Sequence, residues 1–381
     1  PAITELAENP NLPTELRNLI NNCYCDFDKS RASYDKMHDY YHNITDAVIN
    51  YTQVDSRSNR TINFNFMNKF IEEEVSYSVG NDATYTSDSG DKEITDFISK
   101  SLKHWSKKHN HELCRKMLRY GEAYELYYFD NSISGKNQFS CKVISPRQGY
   151  VYLDGNNKPA LFLHIFSKKF DTTTYVDVYT PDWIYHLNSA YNQVSAQTKN
   201  LFGIVPVGIA KIDYMTIYDT IKTIQDAYER NFSDISNEIS DFRNAYLAFI
   251  GCQLSKDALK DMHEKGIINV PMNGDKKLVD VKWIIKEIND TFIQNTINNE
   301  EDKMYQLSSH INHNEKMQSN LSGVALRSRL ISLEDKCKLN EGALADCITT
   351  RLQMLFLWDK ILNGSDYDFR DIDVKFTPNV P

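Results

Sequence analysis

The sequence predicts an α+β fold arranged around helices too long for one compact domain, and three observations carry that expectation. From Tyr214 to Ile250, Ile221, Tyr228, Ile235, Phe242 and Phe249 recur every seventh residue, with Ile217, Ile224, Phe232, Ile239 and Tyr246 between them. No Pro or Gly interrupts the run, which as one helix would be roughly 50 Å long. A second run, Gly323 to Leu362, places Leu326, Leu330, Leu333, Cys337, Leu344, Cys347, Leu355 and Leu362 close to one face. Between Phe139 and Gly208 the apolar period becomes two, the signature of strands.

In chain order, residues 1–80 read as mostly helical. TELRNLINNCYCDF follows Pro13, and Tyr34, Met37, Tyr41, Ile44 and Val48 give an amphipathic helix over 33–50. INFNFMNKFIEEEVSYSVG predicts a helix stopped by Gly80 in a left-handed conformation. The helical pattern resumes at Glu93 and changes near Gly121 into a strand rich in Tyr and Phe. Asp154-Gly155-Asn156-Asn157 between two apolar runs predicts a hairpin, and LFGIVPVGIAKI a further strand. After the first long helix, Gly251, Gly266 and Gly274 cut the chain into a short helix, a strand INVPM, a turn and a strand VDVKWII. Asn289-Asp290 then caps another helix. A polar segment, His310 to Ser322, leads to the second long helix, and Asp371–Phe376 forms a closing strand.

Composition excludes several classes. The net charge of −9 argues against a general nucleic-acid coat. No run of about eighteen apolar residues exists to span a membrane, and the first residues lack the basic and apolar regions of a signal peptide. Seven scattered cysteines without CxxC spacing suit reduced thiols and no metal site. Pro1 and the terminal FTPNVP suggest a trimmed piece of a longer chain.

No catalytic constellation emerges. His109-Asn110-His111 spells a nuclease motif, but adjacent residues on one helix fit a polar face better. Cys23 and Cys25 have no second pair, and Glu72, Glu73 and Glu74 point to three sides of a helix, which suits solvated charge. Nucleotide-binding and hydrolase motifs do not occur, so no enzyme and no cofactor are expected.

Several stretches, in order, resemble the portal proteins of tailed bacteriophages, specifically the family typified by Bacillus siphophage portals. EEEVSYSVGNDATY, LRYGEAYELYYFD and VISPRQGYVYLDG are similar to its wing words. IQDAYERNFSDISNEISDFRNAYLAFIG is similar to its stem helix, and KEINDTFIQNTINNEEDKMYQLSS and LSGVALRSRLISLEDKC follow in the family's order. The likeness runs from about Tyr34 to Pro381. IVPVGIAKID departs from the family's usual junction before the long helix, and the helical crown that follows the "Ft-n-P" word, here Phe376 to Pro381, is missing.

The resemblance implies a portal fold with a helix-rich mixed wing, a two-helix stem, a small αβ clip and a long wing helix. Residues 1–213 would be most of the wing, 214–250 the first stem helix, 251–287 the clip and 288–309 the second stem helix. Residues 310–321 would be the tunnel loop, 322–364 the long wing helix, and 365–381 a wing strand leading to the missing crown. The family forms a homo-oligomeric ring, a dodecamer, at one capsid vertex, through which double-stranded DNA is packaged and ejected. It docks terminase, then head-completion or tail-adaptor proteins, and meets major capsid and scaffolding proteins. The location implied is the virion, and the host cytoplasm during assembly, with no membrane partner.

Carried onto this sequence, the DNA-facing loop would offer His310, Asn312, His313, Asn314, Glu315, Lys316, Met317, Gln318, Ser319 and Asn320. The stem's acidic face, Asp226, Glu229, Asp234, Glu238 and Asp241, would line the channel and repel phosphate. Asn273, Lys276 and Lys277 at the clip turn would meet a docking partner. The alternative from another class is an intracellular helical structural or scaffold protein whose long helices form a bundle or coiled coil.

Overall fold

The computed structural model describes residues 12–55, 57–131, 137–241, 246–250, 256, 280–284, 290–312 and 323–378. They fall into two compact units. One takes the described residues of 1–45, 64–225 and 302–381, and the other those of 46–63 and 226–301.

The larger unit opens with α1 (Thr14–Tyr41), whose first-turn Arg17 N–H bonds the Pro13 carbonyl at 2.8 Å. The expected helix over 33–50 is broken: α1 ends at Tyr41, Asn43 turns the chain with φ 65°, and a single turn, α2 (Asp46–Ile49), follows. Asn tolerates that left-handed conformation better than most residues. α3 (Phe66–Val79) is capped by Asn65 and ends at Gly80, which is right-handed at φ −62°, so the predicted left-handed stop does not form there. After β1 (Thr84–Ser87) come α4 (Lys92–Leu102), capped by Asp91, and α5 (His109–Tyr120). The left-handed stop is Gly121, at φ 85°, whose N–H bonds Met117 O at 2.7 Å and swings the chain into β2 (Glu122–Asp130).

β2 is the centre of a three-stranded antiparallel sheet, flanked by β3 (Gln138–Ile144) and β9 (Val207–Lys211). Between them in sequence, β4 (Gly149–Leu153), β5 (Pro159–Ser167), β6 (Thr174–Tyr179), β7 (Trp183–Asn188) and β8 (Gln193–Lys199) form an antiparallel meander. The 154–157 turn is as expected. Asp154 accepts the N–H groups of Asn156 and Lys158, and Asn157 takes φ 59°. One face of the meander, Leu161, Leu163, Ile165, Val176, Val178 and Leu187, buries Ile20, Cys23 and Phe27 of α1. This is the alternation of a half-buried sheet meeting a helical stripe.

The second long run forms α8 (Gly323–Asn363), packed against β9 and β2. A one-sided stripe does not describe it throughout. From Cys347 to Phe356, Cys347, Ile348, Arg351, Leu352, Met354, Leu355 and Phe356 are all buried, covering most of the helix circumference. Close approach needs Gly208 in β9, where an added Cβ would lie 2.5 Å from Tyr127 Oη and 3.1 Å from Cys347 Sγ. A short 3-10 turn (Phe369–Asp371) and β12 (Ile372–Lys375) end the unit, with β12 antiparallel to β1.

The first long helix, whose residues 217–225 belong to the larger unit and 226–241 to the smaller, is shorter than expected. α6 spans Ile217–Asp241, and Tyr246–Ile250 is instead a strand, β10, paired antiparallel with β11 (Asp280–Ile284) from Tyr246↔Ile284 to Ile250↔Asp280. The run Tyr-Leu-Ala-Phe-Ile fits either period, and pairing with β11 decides it. α7 (Asp290–Leu307) is the expected return helix.

Candidate functional site

The five stem acids do not share one solvent-facing stripe. Glu229 is fully buried, Asp226, Glu238 and Asp241 are half-buried, and Asp234 is exposed. The reason lies in residues 51–55 and 57–62, which lie along α6; a turn, Arg57 N–H to Val54 O at 3.3 Å, divides them, and 58–62 is the extended part. Asp241 accepts the Ser58 N–H at 3.0 Å. Asn237, 5 % exposed, accepts the Arg60 N–H at 2.9 Å and donates to the Arg60 carbonyl at 2.9 Å, reproducing with one amide what a neighbouring strand would supply. Ser233 accepts the Ile62 N–H at 2.9 Å. Asp234 accepts the Tyr51 hydroxyl at 2.9 Å, and Glu238 lies 3.7 Å from Arg57.

Helix positions four apart thus bond alternate residues of an extended chain. Buried backbone groups must be paired, and here polar side chains do the pairing, so a face that reads as solvated is a packing face. Asn237→Leu keeps size but strands two backbone groups. It is expected to cost about 2–3 kcal/mol, read by denaturant unfolding and by faster amide exchange at Arg60.

His310 corrects the loop assignment. Its side chain is 0 % exposed and its ring stacks on Phe70 with centroids 4.3 Å apart. Nδ1 faces Ser308 O at 2.8 Å and Nε2 faces Phe70 O at 3.1 Å. Two carbonyl acceptors favour the protonated ring, but burial and the Lys336 ammonium outweigh them and push its pKa down to about 3. His310 is therefore a neutral core residue at the foot of the loop rather than a DNA contact. Asn312 is half-buried and reaches Asp302 at 3.4 Å. His313, Asn314, Glu315, Lys316, Met317, Gln318, Ser319 and Asn320 lie outside the described residues, as do Asn273, Lys276 and Lys277 of the clip.

Beside His310 sits a buried polar cluster that the sequence did not announce. Glu74, fully buried, meets Lys336 Nζ at 2.8 Å and accepts the Asn340 amide at 2.8 Å, and Tyr214 donates to Asn340 Oδ1. Burial raises the Glu74 pKa, with Lys336 and Asn340 opposing. Its neighbours are paired as well, Glu72 with Arg115 and Tyr41, and Glu73 with Lys69. The reading of 72–74 as solvated charge thus fails for Glu74, whereas the Glu72 and Glu73 side chains stay 37 % and 32 % exposed. No local signal could reveal it, because Lys336 comes from a distant helix.

The His109-Asn110-His111 run belongs to a second buried cluster. Glu125, in β2, receives Arg351 Nε at 3.0 Å and Nη2 at 2.5 Å, His109 Nε2 at 2.6 Å and Tyr127 Oη at 2.7 Å. Asn110 Oδ1 accepts from Arg351 at 3.0 Å. Burial would raise the Glu125 pKa, but Arg351 and His109 together hold it below the usual carboxylate range. His109, Glu125 and Cys141 are close enough to share a cation. They do not suit one, since Arg351 already occupies both carboxylate oxygens and burial pushes the Cys141 thiol well up.

A family model described as "Phage portal protein, SPP1 Gp6-like" matches residues 20–381. A search of curated proteins finds no match. Among solved structures, the chain is similar to one from the neck of an empty gene transfer agent particle computed with C6 symmetry, with 10 % identity, TM-score 0.49, and 81 % and 80 % of the two chains covered. It is also similar to one from the virion of a native gene transfer agent particle, with 11 % identity, TM-score 0.45, and 82 % and 79 % covered.

Proposed function

The chain belongs to the SPP1 Gp6-like family of phage portal proteins, and we propose that it acts as one subunit of a homo-oligomeric ring at a capsid vertex through which double-stranded DNA passes. The observation that carries this reading is the family match over 20–381, which includes both long helices and the segment between them. On this reading the role is structural, with ATP hydrolysis left to the terminase, and the ring sits in the virion. Major capsid and scaffolding proteins surround it, and the segment 251–287 docks terminase first and a head-completion or tail-adaptor protein later.

The surface of α6 supports association. Ile221 and Tyr228 are buried, whereas Ile224, Phe232 and Ile235 are half-buried and Ile239 is 60 % exposed. That leaves part of the apolar stripe for a neighbouring subunit to cover. Of the five stem acids, Asp234 is the exposed one, and we assign to it the anionic wall that keeps phosphate from adhering.

The DNA-facing part of the loop narrows to 313–320, because His310 is held in the core and Asn312 by Asp302. Its polar side chains suit transient contact with phosphate and sugar, without sequence readout. Shortening 313–320 is expected to leave ring assembly intact, seen by negative-stain microscopy, and to abolish DNA packaging in a reconstituted reaction. Normal packaging by the shortened ring would overturn the loop's role, and compact monomers of the intact chain would overturn the ring.

A further inference from the structure

In a chain of net charge −9, one stretch runs the other way. Lys100, Lys103, Lys107 and Lys108 follow one another with no acid from 97 to 111, and His104, His109 and His111 lie among them. All four lysines are exposed, and none has a carboxylate partner among the described residues.

Two of the four, Lys103 and Lys107, line a cavity of about 330 Å³ together with Trp105, His109 and Arg351. Arg351, only 2 % exposed, spends Nε and Nη2 on Glu125 and Asn110, and Nη1 has no acceptor among the described residues. α5 begins on the same cavity at His109 and Asn110, and no side chain caps it. The one carboxylate in the lining is Asp82. A cavity of this size, lined by a buried arginine and an indole, admits a carboxylate side chain. A duplex backbone would need an open ridge or groove.

The same unit carries the complement. Asp88, Asp91, Glu93 and Asp96 are exposed around the start of α4 and have no cation partner among the described residues. The other acidic run, 366–373, is already engaged with Lys360, Arg370, Ser87, Ser89 and Lys375. A closed ring of identical subunits needs a heterologous contact, two different patches that fit one another.

We propose that the cavity rimmed by Lys103 and Lys107 is the receiving half of such a contact and takes carboxylates of the 88–96 run from a second copy of this chain. The proposal deepens the ring reading above and rests on it. Asp91 caps α4 within its own chain, so Glu93 and Asp96 are the carboxylates that reach across. Like charges set against one another then disrupt the contact, and salt weakens the native contact by screening its opposite charges.

The test uses the full chain, with ring content measured by native mass spectrometry and microscopy, and folding by circular dichroism. Lys103→Glu/Lys107→Glu and, separately, Glu93→Lys/Asp96→Lys are each expected to cut the ring fraction about tenfold while remaining folded. An equimolar mixture of the two defective variants should form rings again, because in alternation every contact regains opposite charges. The chain carrying all four changes should also recover. If the intact chain forms rings and either charge-reversed pair does so equally well, the contact is wrong while the ring reading stands. Should both variants lose rings with no recovery on mixing, the contact is equally wrong. If reversal spares rings but abolishes retention of duplex DNA, the cavity rim is a nucleic-acid surface instead. An intact chain that stays monomeric would sink both the contact and the ring.

Discussion

Arg351→Ala is expected to cost about 3–5 kcal/mol of unfolding free energy, the range for removing one partner of a buried ion pair. Arg351 and Glu125 side chains are 2 % and 0 % exposed, and the guanidinium grips the carboxylate through two nitrogens. Without it, Glu125 keeps only the bonds from His109 and Tyr127. Unfolding in denaturant followed by tryptophan fluorescence suits the measurement, since Arg351 lies 5.3 Å from the Trp105 ring centre. The sign with pH follows from the Glu125 carboxyl being held below its ordinary range. The pair's contribution is present above the unfolded carboxyl pKa and is lost as pH falls, so the gap between wild type and variant should shrink below about pH 4. Glu125→Leu/Arg351→Met should recover most of the loss, because the penalty is an unpaired buried charge rather than a missing attraction. A variant within 1 kcal/mol (roughly) of wild type at pH 7 would mean that the cluster is hydrated rather than buried.

Gly208→Val should destabilise the same region by about 3 kcal/mol, the upper part of the overpacking range, although valine is the better strand former. The Cβ position lies 2.5 Å from Tyr127 Oη and 3.1 Å from Cys347 Sγ. Neither neighbour can yield cheaply. Tyr127 is stacked on Phe139, its rings 5.6 Å apart, and its hydroxyl bonds Glu125 at 2.7 Å, while Cys347 is fully buried in α8. Gly208→Ala should cost less, and combining it with Tyr127→Phe should cost less than the sum, because that change removes the oxygen nearest the new methyl. Strict additivity in this cycle would show that the strain comes from the backbone and not from Tyr127.

These two sites also mark where sequence patterns stop being informative. The 154–157 hairpin, the strand beginning after Gly121 and the period-two strands of the meander were legible because local periodicity and turn chemistry determine them. The end of α6 was not, since the Tyr246–Ile250 run continues the helical stripe and only its pairing with β11 (Asp280–Ile284) turns it into a strand. Glu74, Glu125 and Arg351 read as ordinary polar positions because their partners lie far along the chain. His310 read as part of a polar loop because nothing near it announces Phe70 as its stacking partner. Gln225, Glu229, Ser233 and Asn237 are buried at four-residue spacing, a polar regularity visible in the letters of which only Glu229 was assigned, and that to the channel-facing side.

The ladder between α6 and residues 58–62 has a mechanical side. Four helical residues advance roughly 6 Å and two extended residues roughly 6.6 Å, so the two chains are nearly but not fully commensurate. The three rungs Ser58–Asp241, Arg60–Asn237 and Ile62–Ser233 run antiparallel and stay within hydrogen-bonding distance, as two rulers of slightly different pitch agree over a few marks. A tug along the helix axis would load all three rungs in parallel, as in shear, whereas a pull at right angles would open them one at a time, as in peeling. Residues 58–62 are thus a lashing that resists sliding better than lifting, and its length is limited by the mismatch in pitch rather than by the length of the helix.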